Sequence, residues 1–171
     1  MLNKYIKTFE NYINDNFKEW FKNSKVVDDK GNPLVVYHGS GSLFDSFNGY
    51  SFFTNDYMNA DGYASGEYVY DVYLSIQNPL IIDCMGRMYN DLKTDYGTST
   101  IEIVSKVDTK KYDGIIFTNI KDSWIDDEEY QDTSTVYVVF EPNQIKSVDN
   151  NGSFDINNIN IYEKRKTRNY F

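Results

Sequence analysis

The stretch Leu34-Val35-Val36-Tyr37-His38-Gly39-Ser40 decides how this chain is read. Val35 and Val36 are β-branched, and with Leu34 and Tyr37 they make an apolar run of strand length. The run stops at His38-Gly39-Ser40-Gly41-Ser42, where every side chain is small or polar. Gly39 and Gly41 carry no Cβ, so a ligand can lie against bare backbone there. His38 is the only histidine in the chain. A polar side chain at a strand end, followed by open amides, suits a small molecule held edge-on. A strand end whose histidine only caps a turn looks the same, and these residues alone favour that plainer reading.

Upstream, Asp28-Asp29-Lys30-Gly31-Asn32-Pro33 reads as a turn, with φ fixed at Pro33 and left-handed backbone permitted at Gly31. Before it, Tyr5, Phe9, Tyr12, Ile13, Phe17, Trp20 and Phe21 recur at steps of three and four. That spacing predicts an amphipathic helix over 4–23 that packs on the domain. Downstream, Gly49 to Thr54 reads as a strand, and Asn55 or Asp56 caps a helix containing Met58, Ala60 and Tyr63. Tyr68, Tyr70, Val72, Leu74 and Ile76 alternate on one strand face. Leu80 to Cys84, Ile115 to Phe117 and Val136 to Phe140 are further strands, the last closed by Pro142. Met88 to Leu92 and Thr100 to Val107 read as helical pieces. Residues 121–134 carry Asp122, Asp126, Asp127, Glu128, Glu129 and Asp132, a run that reads as a solvated loop without metal-ligand spacing. Trp20 and Trp124 read as packing residues. From Asp149 the chain is Asn-rich and wraps, and Glu163 to Arg168 form a basic tail.

The chain of 171 residues is long enough for one domain with a proper core, and 16 tyrosines and 11 phenylalanines argue against disorder. A net charge of −9 speaks against a general binder of nucleic-acid backbone, leaving only the basic tail for such contacts. Cys84 is the only cysteine, which excludes an internal disulfide and a cysteine-based zinc site. No run has the length of a membrane span and no signal-peptide pattern opens the chain, so no membrane partner and a cytoplasmic setting are expected. The elements do not alternate in a βαβ rhythm. They predict an α+β fold of two packed, mainly antiparallel sheets with an N-terminal amphipathic helix.

Four pieces follow one another in a telling order: Val36 to Ser40, then Phe52-Phe53-Thr54, then Tyr63, then Val136 to Phe140. In this the chain resembles the ADP-ribosyltransferase fold of the diphtheria-toxin and poly(ADP-ribose) polymerase branch, known by a His-Tyr-Glu arrangement. It is closer to phage-encoded ADP-ribosyltransferase-like domains of polyvalent and head-associated proteins. That likeness runs from about Phe17 to Asn158 through Gly31-Asn32-Pro33-Leu34, Asn78-Pro79-Leu80, Tyr112-Asp113-Gly114 and Phe140-Glu141-Pro142-Asn143-Gln144.

The resemblance implies NAD as the substrate and no metal. It implies that His38 bonds the nicotinamide-side ribose, that the Gly39 backbone pairs with the carboxamide, and that Tyr63 stacks on the nicotinamide ring. Phe52 matches a packing position where tyrosine is usual, and Thr54 or Ser40 supplies a further hydrogen bond. The family's glutamate falls at Val136, which can neither take a proton nor stabilise a cationic state. Ser134, Asp132 and Glu129 precede that position, while Glu141 and Gln144 follow it as weak substitutes.

Two functional readings result. One is a phage-encoded, toxin-like ADP-ribosyltransferase, a glycosyltransferase acting on NAD, that modifies a host macromolecule in the host cytoplasm. The other is an inactive module of the same fold that is virion-associated or binds a host protein. The expected organisation is a packed helix over 1–24, the ADP-ribosyltransferase-like domain over 25–158 and the tail over 159–171.

Overall fold

Helix α1 spans Asp15–Phe21 in the computed structural model, which describes residues 14–122 and 132–163. It starts where the side chain of Asn14 accepts the Phe17 amide at 2.8 Å. Asn14 itself is extended, so the helix predicted over 4–23 is observed only from Asp15. The earlier part of its stripe, Tyr5 to Ile13, lies outside the described residues, as do Trp124, Glu129 and the tail beyond Glu163. Phe17, Trp20 and Phe21 bury one face of α1 against Phe154 and Tyr73. The Trp20 indole N–H donates to the Asn143 carbonyl at 3.0 Å.

Among the described residues seven strands follow: β1 (Val36–Ser40), β2 (Ser51–Thr54), β3 (Tyr68–Leu74), β4 (Pro79–Asp83), β5 (Gly114–Ile120), β6 (Ser134–Val139) and β7 (Ile145–Ser147). They form one hydrogen-bonded sheet in the order β4-β5-β6-β2-β1-β3-β7. All pairings are antiparallel except β4 with β5. That parallel pair needs a crossover, which helix α3 (Thr100–Lys106) provides.

The fold is α+β, as the sequence implies. The two expected sheets are halves of one sheet, β4-β5-β6-β2 and β1-β3-β7. They meet through a single register pair, Tyr37 with Thr54. The facing sides share one core: Phe53, Ile116, Tyr137 and Val139 against Val36, Tyr70, Val72, Leu74 and Ile145. The other side of the first half carries a second core, where Leu80, Ile82, Ile115, Phe117, Val136 and Val138 meet Leu92, Ile103 and Val104. Strand β6 therefore buries both faces, which explains its unbroken apolar run.

Met88 to Leu92 is not helical, contrary to expectation. The Tyr89 amide donates to the Lys121 carbonyl at 3.1 Å and the Tyr89 carbonyl accepts the Thr100 amide at 2.9 Å, so its backbone serves tertiary contacts. Helix α2 (Tyr57–Ala64) begins as predicted, with the Asp56 carboxylate accepting the amides of Met58 and Asn59. It lies directly on β1 at Gly39. A Cβ there would stand 1.9 Å from the Ala60 carbonyl oxygen, so only glycine permits the contact.

The Asn-rich segment wraps through side-chain turns: Asn150, Asn158 and Asn160 each accept an amide two residues on. Ile161 is fully buried in the first core. Buried Lys146 donates to the carbonyls of Asp155 and Asn158 at 2.8 and 2.7 Å and to the Glu163 carboxylate. Glu163 also accepts the Asp155 amide at 2.8 Å and the Ser153 hydroxyl. The packed chain thus reaches at least Glu163, and the expected domain edge after residue 158 falls inside this clasp. Among the described residues, no helix is long and apolar enough to cross a membrane.

Candidate active site

Past Tyr37 and Thr54 the ladder between β1 and β2 stops, and Gly39 does not pair with Phe52. His38 takes over: its Nδ1–H donates to the Phe52 carbonyl at 2.7 Å. A carbonyl only accepts, so Nδ1 carries the proton and the neutral ring keeps Nε2 as an acceptor. The imidazole packs within 5.0 Å of the Phe47 ring and 5.5 Å of Phe53, measured between centroids. Burial pulls its pKa below the ordinary 6.5, and the bond to Phe52 opposes this in part.

The sign of the pH effect follows. Below about 6.5 the unfolded chain takes a proton that folded His38 refuses, so stability falls as pH drops through that value. His38→Gln removes this component. Urea unfolding between pH 8 and 5 is expected to show the wild type losing more stability than the variant. Parallel losses would contradict a buried neutral imidazole.

The splayed strands open a cleft of about 280 Å³. Tyr37, His38 and Gly39 line it from β1, Phe52 and Thr54 from β2, and Tyr63 from α2. Tyr89, Ile101, Asp122 and Val136 complete the wall. Tyr63 is 47% exposed, so its ring is open to a ligand. Its hydroxyl donates to Asp122 Oδ1 at 2.8 Å. Burial, and then the Asp122 charge, push the Tyr63 phenol far above its usual range. Burial also raises the Asp122 carboxyl, against the pull of the Tyr63 bond. The Asn59 side-chain amide of α2 donates to the Asp122 backbone carbonyl.

The structure brings His38, Gly39, Phe52, Thr54 and Tyr63 together at this cleft. Ser40 is elsewhere: its hydroxyl donates to the Ser42 carbonyl at 3.0 Å and accepts the Ser42 amide at 3.1 Å. Val136 lies in the wall beside Thr54, its register partner, so β6 offers no carboxylate there. Glu141 and Gln144 do not line the cleft. Glu141 lies beyond the end of β6 at Val139, where it precedes the turn Pro142–Gln144. The Gln144 amide group is spent on structure. It accepts the Phe140 and Glu141 amides at 3.1 and 2.9 Å and donates to the Ser75 and Asp113 carbonyls at 3.0 and 2.8 Å. Asp132 is exposed, and the Ser134 hydroxyl is buried without a partner among the described residues.

Asp122 is the cleft residue that sequence reasoning did not single out. It looked like the first member of a solvated acidic run, and only its place just beyond the buried strand β5 sets it apart.

The wall is largely aromatic, with one carboxylate and no Lys or Arg among its described residues. That donor set fits a flat cationic ring. Among the described residues no three His, Cys, Asp or Glu side chains stand together to hold a metal ion. A family model described as "ADP-Ribosyltransferase in polyvalent proteins" matches residues 28–154, well over half of the chain. No curated protein and no solved structure gives a match.

Proposed function

Because the chain belongs to the family of ADP-ribosyltransferases in polyvalent proteins, we propose that its cleft takes NAD by the nicotinamide end and transfers ADP-ribose to a macromolecule. The observation that carries this reading is the convergence of His38, Gly39, Phe52 and Tyr63 on one wall, from three separate elements. Tyr63 and Phe52 hold the nicotinamide ring between aromatic faces, which suits a cation. His38, oriented by the Phe52 carbonyl, meets a ribose hydroxyl through Nε2. Gly39 offers the carboxamide its backbone where β2 has turned away. The resemblance to phage-encoded domains favours a host macromolecule as the acceptor.

Nicotinamide release from NAD by the purified protein tests this. His38→Ala and Tyr63→Ala are each expected to slow release by about 10- to 100-fold, the loss of one strong polar or stacking contact. Undiminished release in both variants would place the chemistry elsewhere.

Val136 at the wall favours a second reading, a binding module on the same fold. Absence of both NAD binding by calorimetry and nicotinamide release would support it.

A further inference from the structure

We propose that Asp122 supplies the carboxylate of this cleft, reaching the reacting ribose carbon from β5 where Val136 on β6 cannot. This rests on the NAD reading above. Phe117 of β5 pairs with Val136, and Ile120 pairs with Ser134. The chain leaving β5 at Asp122 therefore emerges at the same end of the sheet as Val136, one strand over. Asp122 is the only carboxylate lining the cleft among the described residues.

Its position is held from α2. The Tyr63 hydroxyl occupies Oδ1, and the Asn59 side chain fixes the backbone carbonyl. The same helix that presents the stacking ring thus sets the acid beside it. No donor among the described residues engages Oδ2. A carboxylate placed in an aromatic wall with no facing cation weakens the fold. That cost is a mark of groups retained for chemistry rather than for packing. Burial raising its carboxyl has the same origin. The other titratable groups on the wall are Tyr37, His38, Tyr63 and Tyr89, and neutral His38 adds no positive charge.

The step balances as follows. The bond between ribose C1′ and the nicotinamide nitrogen breaks, and its electron pair stays on the ring, which leaves neutral. Positive charge passes to C1′ and the ribose ring oxygen, facing the Asp122 carboxylate. An acceptor X–H, or water, forms the new bond to C1′. Its proton goes to Asp122 and from there to solvent.

The test compares wild type, Asp122→Asn and Asp122→Glu for nicotinamide release, NAD affinity by calorimetry and thermal midpoint. Asp122→Asn is expected to slow release by about 100-fold or more. Its NAD affinity should stay within about threefold of wild type, because the interaction strengthens only as charge develops. Its thermal midpoint should equal or exceed that of wild type, since a desolvated charge has been removed. Asp122→Glu should recover part of the rate. Full release in Asp122→Asn beside active wild type overturns the assignment while leaving the NAD reading standing. So does a joint fall of affinity, midpoint and rate with no recovery in Asp122→Glu, which marks a structural tie. Wild type that neither binds NAD nor releases nicotinamide overturns both.

Discussion

Lys146→Met is expected to cost about 3–5 kcal/mol of folding free energy, because it removes one member of a buried ion pair and leaves the other. The side chains of Lys146 and Glu163 are 0% and 1% exposed, so water cannot replace the lost partner. The ammonium also satisfies the carbonyls of Asp155 and Asn158, which would lose their donor together. Lys146 comes from β7, whereas Asp155, Asn158 and Glu163 lie on the segment that wraps after it. The variant therefore releases that segment, including Ile161 at its place in the first core. Urea unfolding at pH 7 measures the effect. The double variant Lys146→Met with Glu163→Leu should recover part of the loss, because no charge is then left unpaired. A loss under about 1 kcal/mol in the single variant would show that the pair is hydrated in solution.

Gly39→Ala is expected to damage stability and chemistry together. The new Cβ would meet the Ala60 carbonyl oxygen at 1.9 Å and the Ala64 amide nitrogen at 2.7 Å. Both are backbone atoms of α2, so no rotamer change relieves the clash and the helix must move. Overpacking of this kind costs about 1–3 kcal/mol and occasionally more. The helix that moves also carries Tyr63 and Asn59, and through them the position of Asp122. Misplacement of a reacting group by an ångström can cost about 100-fold in rate, and nicotinamide release should fall by that order. Gly41→Ala is the control. Nothing lies within 4 Å of a Cβ at Gly41, so its stability should stay within about 0.5 kcal/mol of wild type. Equal behaviour of the two variants would mean that α2 does not rest on β1 as described.

That His38, Gly39, Phe52 and Tyr63 line one cleft was foreshadowed by the order of motifs that carries the family resemblance, whereas local signals marked only the strand ending at His38-Gly39 and the helix capped by Asp56. Alternation gave the first-core face of β3 from Tyr70 to Leu74, although Tyr68 is exposed and Tyr73 on the other face packs on α1. Asp122 was illegible because its place in the cleft is tied by Tyr63 and Asn59 of α2, from a distant part of the chain. Gln144 misled for the converse reason. Its side chain looked available, and four backbone groups from three segments claim it. The join between the sheet halves was hidden as well. A single pairing, Tyr37 with Thr54, leaves no periodic trace. The parallel neighbours β4 and β5 escaped notice because helix α3 is short and follows a long irregular stretch. The helix over 4–23 was read as continuous because an apolar stripe runs past Asn14, where extended backbone interrupts it.

The clasp around Lys146 bears on the order in which a ribosome delivers this chain. Every described strand of the sheet has been synthesised by Ser147, and the described cleft residues are present by then. Yet the ammonium of Lys146 has no carboxylate to meet until Glu163 emerges. Until that moment β7 must keep its lysine in water, and the edge of β3 that it covers stays open. Glu163 thus acts as a completion signal, committing the sheet to its final edge only after the wrapping segment is in hand.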